Sequence, residues 1–225
     1  MSIGARIYTR ISRPDPKLLA RLVKVPVANL DDNMGRLYAV DAGIKPLNKT
    51  PLCGPAFTVK CPSGDNLMFH KALDLAQPGD ILVISCVGGG ERSLSGGMMV
   101  EYAIAKKLGG FVVEGMVRDL EDQAAADFPV YARGIQANGP YKNGPGEINV
   151  PVAVGGQVVM PGDILVGDAD GLIVIPAADA EAVCAAGEAT LAKETIGVAN
   201  TRAGKPANRQ WVDDKINALG IEYMD

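Results

Sequence analysis

Histidine is nearly absent: the 225-residue chain carries one, His70. Zinc sites without cysteine pairs, and most serine or cysteine nucleophile systems, need imidazole, so those chemistries have a single residue to draw on. If a metal is held, oxygen ligands must dominate. That means a hard divalent cation, magnesium or manganese, bound by carboxylates and water. Cysteine is scarce too. Cys53, Cys61, Cys86 and Cys184 form no C-x-x-C pair, and three of them sit in apolar surroundings that read as core, the pattern of a reducing cytosol. No apolar run approaches the ~18 residues of a spanning helix, and the start, MSIGARIYTRISR, is too polar for a signal-peptide core. A soluble, cytoplasmic protein is expected. Neither sign of charge dominates: the net charge is −4 with acidic and basic residues mixed throughout. This leaves no electrostatic footprint for nucleic acid and no polybasic membrane patch, so small molecules and other protein chains are the expected partners.

What is present is apolar material, at 48% of residues, enough for a sizeable core in one domain spanning residues 1–225. Asp15 to Val23 reads as a short helix with Asp15 as N-cap and Pro16 at its first position. A second helix is expected from near Asn29 or Asp31 toward Tyr38. Gly54 to Cys61 is β-rich, and Pro62-Ser63-Gly64-Asp65 turns the chain into a helix over about 66–76 that carries His70. Two near-identical pieces follow, Gln77-Pro78-Gly79-Asp80-Ile81-Leu82-Val83 and Met160-Pro161-Gly162-Asp163-Ile164-Leu165-Val166. Pro-Gly at the centre suits a type II turn, and the apolar run after it suits a buried strand. Past Asp127 the chain is β-rich, with strands expected at 130–133, 150–154, 157–160, 164–166 and 171–175. The intervening loop from Gln136 to Asn149 is long for a compact domain, which points to function. From Ala177 to about Thr195 an alanine-rich helix is expected, and from Trp211 to Asp225 a helix with an extended end.

Between the two repeated turns lies the stretch with the most chemistry. A helix over about 98–108, led by Gly96-Gly97, ends at Gly109-Gly110 and feeds a strand over 111–117, so strand, helix and strand form a parallel crossover with functional groups gathered at the carboxyl ends. Arg118 and Asp119 fall there. Two readings are open for them. Either they are a solvated strand end with Asp119 capping the next helix, or Asp119 binds a divalent cation while Arg118 binds a carboxylate or stabilises an enolate. Asp122, one helical turn on, shares the face and is placed to hold metal-bound water. The Gly96-Gly97-Met98-Met99 helix start offers unobstructed N–H groups for an anion, or is a close-packing turn. Gly88-Gly89-Gly90 fits neither a P-loop nor a dinucleotide fingerprint. His70 reads as a satisfied or surface helix residue. Glu114, in an apolar strand, needs a partner, which Arg118 or a metal would supply; Glu147, in the long loop, reads as solvated.

The series GDNLMFHKALDLAQPGDILVI, GGMM, FVVEGMVRD, PVYARGIQANGPYKNGPGEINVPV and VMPGDILVGDADGLIVIP resembles the family of RraA-like proteins, over roughly Val25 to Pro176. That family includes metal-dependent class II pyruvate aldolases acting on 4-hydroxy-4-methyl-2-oxoglutarate and 4-carboxy-4-hydroxy-2-oxoadipate, and a regulator of ribonuclease E. The resemblance implies a swivelling β/β/α fold of the α/β class, assembled as ring-shaped trimers or as hexamers of paired trimers. The C-terminal helix and tail, about 177–225, would pack at a subunit interface. It further implies that Asp119 is the direct magnesium or manganese ligand, that Arg118 binds the pyruvyl group and its enolate, and that amides around Gly97, Met98 and Met99 receive the carboxylate. Glu194 would match the acid that reaches a neighbour's metal site through water. The aldolases carry an aspartate where this chain has Gly97, and glycine there with an acid at Asp122 resembles the regulator's branch. The expected activity is a lyase forming pyruvate enolate, by oxaloacetate decarboxylation or retro-aldol cleavage of a 4-hydroxy-2-oxo acid. A non-catalytic binding protein is the alternative.

Overall fold

The structure, a computed structural model, describes residues 3–86, 88 and 91–224. Gly89 and Gly90 of the glycine run, and Asp225 at the end of the expected tail, lie outside the described residues. The chain begins with β1 (Arg6–Ile7), α1 (Pro16–Leu22), α2 (Val27–Asp32), β2 (Lys45–Pro46), β3 (Leu52–Cys61) and α3 (Leu67–Leu75). It continues through β4 (Ile81–Cys86), β5 (Ser93–Ser95), α4 (Gly97–Ala105), β6 (Gly110–Val117), α5 (Leu120–Ala125) and β7 (Val130–Ile135). The rest is β8 (Glu147–Ile148), β9 (Val152–Val154), β10 (Gln157–Val159), β11 (Ile164–Asp168), β12 (Gly171–Ile175), α6 (Ala180–Arg202) and α7 (Gln210–Ala218). No helix among the described residues is long and apolar enough to cross a membrane.

Strands β3, β4, β6 and β7 pair in parallel in that order. The crossover from β4 through α4 to β6 is therefore the expected one. Alternation along these strands sorts their side chains into two layers. Phe57, Val59, Leu82, Ile84, Phe111 and Val113 face a core shared with Phe69, Ala72 and Leu73 of α3 and Val100 and Ala103 of α4. Phe111 lies edge-on between Phe69 and Phe128, with ring centroids 5.0 and 4.9 Å apart. Their neighbours Ala56, Ile81, Val83 and Val112 face Val152 and Val154 of β9, Val159 of β10 and Leu172 and Val174 of β12. Helices on one face and strands on the other give the β/β/α layering of the expected α/β fold, and each large side chain buried between them contributes roughly 1.5–3 kcal/mol.

The repeated turns are one solution used twice. Gly79 and Gly162 have φ of +86° and +92°, the left-handed third position of a type II turn. Asp80 N donates to Gln77 O and Asp163 N to Met160 O, both at 3.0 Å. Each aspartate also closes its turn through its side chain, Asp80 Oδ2 accepting from Gln77 N and Asp163 Oδ2 from Met160 N, both at 2.8 Å. Asp80 is fully buried, and Arg13 meets it with two hydrogen bonds of 2.8 and 2.7 Å.

Two elements depart from expectation. Helix α2 begins at Val27, just after Pro26, and stops at Asp32 because Gly35 and Arg36 turn left-handed and Arg36 N closes back on Asp31 O. It never reaches Tyr38. Helix α6 begins at Ala180 and runs past Thr195 to Arg202, and the division of the chain into two compact units, 1–187 and 188–225, falls inside it. The physical reason is that the first turns of α6 bury Ala180, Val183 and Cys184 in a third core with Leu22, Leu30 and Ile175. In the second unit α6 runs on to Arg202, and after a turn α7 has no buried residue.

Candidate active site

β6 ends at Val117, and the next two residues form the site's rim. Asp119 adopts φ 58°, ψ 50°, a left-handed conformation that costs a non-glycine residue energy and persists only where the surroundings impose it. The surroundings do so from both sides. Arg118 N donates to Ser95 O at 3.0 Å, and the fully buried Gln123 donates its side-chain amide to Arg118 O. Asp119 occupies the N-cap position of α5 without making the side-chain cap bond. Its carboxylate turns instead to the neighbouring helix start, where Oδ2 accepts from Gly97 N at 2.9 Å. The reading of Asp119 as a cap for its own helix therefore fails.

Both glycines at the start of α4 lie close against these carboxylates. A Cβ on Gly96 would run into the Asp119 carboxylate, and one on Gly97 would lie 3.1 Å from Asp122 Oδ2. Of the three amides expected to receive a carboxylate, Gly97 N is engaged by Asp119 and Met99 N by Gly96 O at 3.0 Å. Met98 N–H has no acceptor among the described residues, and its side chain is 85% exposed. Gly97, Met98, Asp119 and Asp122 line one cleft of about 500 Å³ with Glu101. Arg118 and Asp119 are each partly exposed, Nε to Oδ1 3.8 Å.

Whether these groups suit a metal is a question of donor number. Among the described residues no group of three or more His, Cys, Asp or Glu side chains forms a cage. Two carboxylates facing one open cleft fit a hydrated hard cation, which keeps several waters and takes one or two carboxylates from protein, and do not fit zinc. Glu194 lies exposed on the second unit.

On the other side of Asp119 is a smaller cavity of about 180 Å³, reached by Arg118, Asn66, His70, Ser95 and Lys142. The long loop from Gln136 does border the site, as its length suggested. It is clamped there: Asp65 Oδ2 accepts from Asn143 N and Gly144 N, Arg92 donates to Gly139 O at 2.8 Å and to the Tyr141 hydroxyl at 2.9 Å, and Ser93 Oγ donates to Asn138 O at 2.9 Å. Half-buried His70 is held toward its neutral form by burial first and by Lys142 second. Sequence reasoning missed Asn66, Ser95, Gln123 and Lys142. The length of the loop was the signal for Lys142, and the other three had none beyond their place beside a turn, a glycine pair and the Arg-Asp step.

Two other expectations are corrected. Glu114 pairs with Arg133 and Gly155 N, not with Arg118. Four residues of strand put Arg118 about 13 Å further along β6, whereas Arg133 stands beside Glu114 on β7, where Val113 pairs with Ala132. Glu147 is buried, not solvated, because β8 lies between β1 and β3. Its carboxylate accepts from Arg6 Nε at 2.6 Å, which holds its carboxyl below the usual range.

The chain is a three-layer β/β/α fold with an arginine and two carboxylates around a glycine-led helix start. The chain belongs to the RraA-like family, whose model, described as Aldolase/RraA, matches residues 27–174. A relative from Halalkalibacterium halodurans, called "Putative 4-hydroxy-4-methyl-2-oxoglutarate aldolase", is 38% identical over 174 residues, covering 77% of this chain and 83% of its own. A solved structure of an unusual member of the RNase ES inhibitor RraA protein family from Streptomyces coelicolor matches with TM-score 0.73 and 27% identity, covering 83% of this chain and 98% of that one. The RNA-processing inhibitor RraA from Thermus thermophilis matches with TM-score 0.63 and 28% identity, over 68% and 93% of the two chains.

Proposed function

We propose that the protein is a divalent-metal-dependent lyase that breaks a carbon–carbon bond in a small 2-oxo acid and releases pyruvate. The observation that carries this reading is Asp119: a left-handed aspartate whose carboxylate is aimed at the α4 start beside Arg118, and not at its own helix. In retro-aldol cleavage of a 4-hydroxy-2-oxo acid, the C3–C4 bond breaks and its electron pair moves onto the 2-oxo group as an enolate. The C4 hydroxyl gives up its proton to become a carbonyl, and C3 then takes a proton to yield pyruvate. Decarboxylation of oxaloacetate forms the same enolate with loss of CO2. Arg118 holds the pyruvyl group and the enolate oxygen, and the Met98 N–H receives the 2-oxo acid's carboxylate. Asp119 and Asp122 would hold magnesium or manganese, which when bound supplies Lewis-acid stabilisation of the oxyanion.

Gly97 stands where the resembling aldolases carry an aspartate. The Asp122 carboxylate reaches to within 3.1 Å of where a Cβ at Gly97 would be, which supports Asp122 as the replacement acid. Homo-oligomers, trimers or hexamers, with Glu194 contributing to a neighbour's site, complete the reading; exposed Ile196, Val198, Trp211 and Ile221 on the second unit support such an assembly. The similarity to RNA-processing inhibitors favours a second reading, a non-catalytic regulator. A coupled assay of pyruvate release from oxaloacetate and from a 4-hydroxy-2-oxo acid separates the two. The lyase gives a rate that needs magnesium or manganese and vanishes with EDTA; no metal-dependent rate on either acid leaves the regulator.

A further inference from the structure

Strands β3 and β4 end on facing cysteines. Cys61 and Cys86 are register partners across the parallel ladder, and both side chains pack into the same core with Phe57, Ile84 and Leu94. Register partners on neighbouring strands lie about 4.8 Å apart, inside the roughly 4.4–6.8 Å between Cα atoms that a disulfide requires. The two thiols are within hydrogen-bonding reach of each other, and the Cys61 thiol also reaches Ser85 O at 3.7 Å. Cys86 is the more reactive of the two, because thiolate character decides which thiol attacks. Hydrogen bonds from Cys61 and, at 3.4 Å, from Gly64 N hold its thiol below the ordinary range against the cost of burial, whereas the shared bond and burial push the Cys61 thiol up. Although only 3% exposed, Cys86 belongs to the lining of a cavity of about 610 Å³ with Lys60, Ser85 and Glu114, which gives a small oxidant a route to the strand end.

The same sulfur holds the turn that carries the long loop. Gly64 N donates to Cys86 Sγ, Gly64 O accepts from Tyr141 N at 2.7 Å, and the Cys86 thiol donates to Pro62 O at 3.5 Å. One residue, left-handed at φ +67°, thus joins the thiol to the loop from Gln136. A disulfide sulfur has no proton to give Pro62 O and is a weaker acceptor for Gly64 N than a thiolate.

We propose that Cys86 and Cys61 are a redox-modification site, a dithiol that a hydroperoxide converts to a disulfide, and that closing the bond loosens the loop around Tyr141. The Cys86 thiolate attacks the terminal oxygen of the hydroperoxide. The O–O bond breaks, the leaving oxygen takes a proton to become water or an alcohol, and Cys86 becomes a sulfenic acid. The Cys61 sulfur then attacks Cys86 Sγ; the S–S bond forms, the S–O bond breaks, and the hydroxyl leaves as water with the Cys61 proton. The two thiols lose two electrons and the hydroperoxide gains them. In a reducing cytosol such a bond is transient and a thiol reductant reopens it, which is how redox-sensing disulfides behave there. Nothing in this chemistry depends on the lyase reading.

The test treats the reduced full-length protein with hydrogen peroxide at neutral pH, blocks the remaining thiols with N-ethylmaleimide and maps the four cysteines by peptide mass. Cys61 and Cys86 should lose their free thiols together, as a linked peptide pair lighter by two hydrogens. They should do so about tenfold or more faster than Cys53 is oxidised, since burial pushes the Cys53 thiol up to about 12. In Cys61→Ala the Cys86 sulfenic acid has no resolving thiol and should become trappable by dimedone, while Cys86→Ala should form no disulfide. The loop is read by hydrogen exchange of the Tyr141 amide, which should quicken about fivefold in the oxidised wild type and return to its starting rate with dithiothreitol. Peroxide should leave that exchange unchanged in Cys86→Ala. Four thiols still free after peroxide, Cys53 or Cys184 oxidised first, or a Cys61–Cys86 disulfide that leaves Tyr141 exchange unchanged would overturn the proposal.

Discussion

Strand β6 carries two acid–arginine pairs that the fold treats in opposite ways. Glu114, inside the strand, meets Arg133 from β7 and Gly155 N, while Arg133 also donates to Asp41 at 3.0 Å. Every charge there has an answer from relaxed neighbours, and the pair is closed. Arg118 and Asp119, at the strand end, are 3.8 Å apart and each more than 40% exposed, and the aspartate is held left-handed to face another helix. Here the protein spends backbone energy to keep charges available. On the proposed lyase reading, the contrast separates an acid kept for packing from one kept for chemistry, although both lie next to apolar strand residues.

The comparison predicts its largest effect at the open pair. Arg118→Ala or Asp119→Ala should lower pyruvate release by about 10²-fold or more, the scale of removing one transition-state donor, while the denaturation midpoint stays near wild type. A variant that keeps full turnover breaks the division. Gly96→Ala should come next, because its Cβ collides with the Asp119 carboxylate and must push it off Gly97 N. Turnover should fall with little change in far-ultraviolet circular dichroism. At the closed pair the loss moves to stability: Arg133→Ala leaves Glu114 with only Gly155 N, costing about 1–2 kcal/mol in urea unfolding, with kcat unaltered.

How much of this was legible beforehand follows from the range of the forces involved. Local geometry was: Pro-Gly-Asp fixes a type II turn within four residues, and Asp15-Pro16 announces α1, where Asp15 Oδ1 accepts from Lys17 N at 2.8 Å. The crossover was legible too, since glycine-led helix and apolar strand follow each other directly. What stayed hidden was set by distant strands. Nothing near Glu147 reveals that Arg6, far off in sequence, will lie beside it in β1, and nothing near Glu114 names Arg133. The site was half visible. Arg118 and Asp119 advertise themselves as charge after an apolar run, but the unpaired Asn66 Oδ1 and Ser95 Oγ are a product of burial and exist only once the fold has formed.

Glu147 tests the closed class at its weakest point. Its carboxyl lies below its ordinary value of 4.5, chiefly because Arg6 donates to it, with Gly4 N assisting against the cost of burial. A depressed folded value means its stabilisation is complete above about pH 4.5 and is lost as pH falls through the folded value. Glu147→Gln should therefore lower the urea midpoint slightly at pH 7, and the gap from wild type should close as pH falls through the carboxyl's lowered folded value. Because Arg6 is only partly buried, screening keeps the effect small, and added salt should shrink it further. If Glu147→Gln instead changed the pH profile of kcat with the midpoint untouched, Glu147 would belong with Asp119, and burial with an arginine partner would no longer mark an acid as structural in this fold.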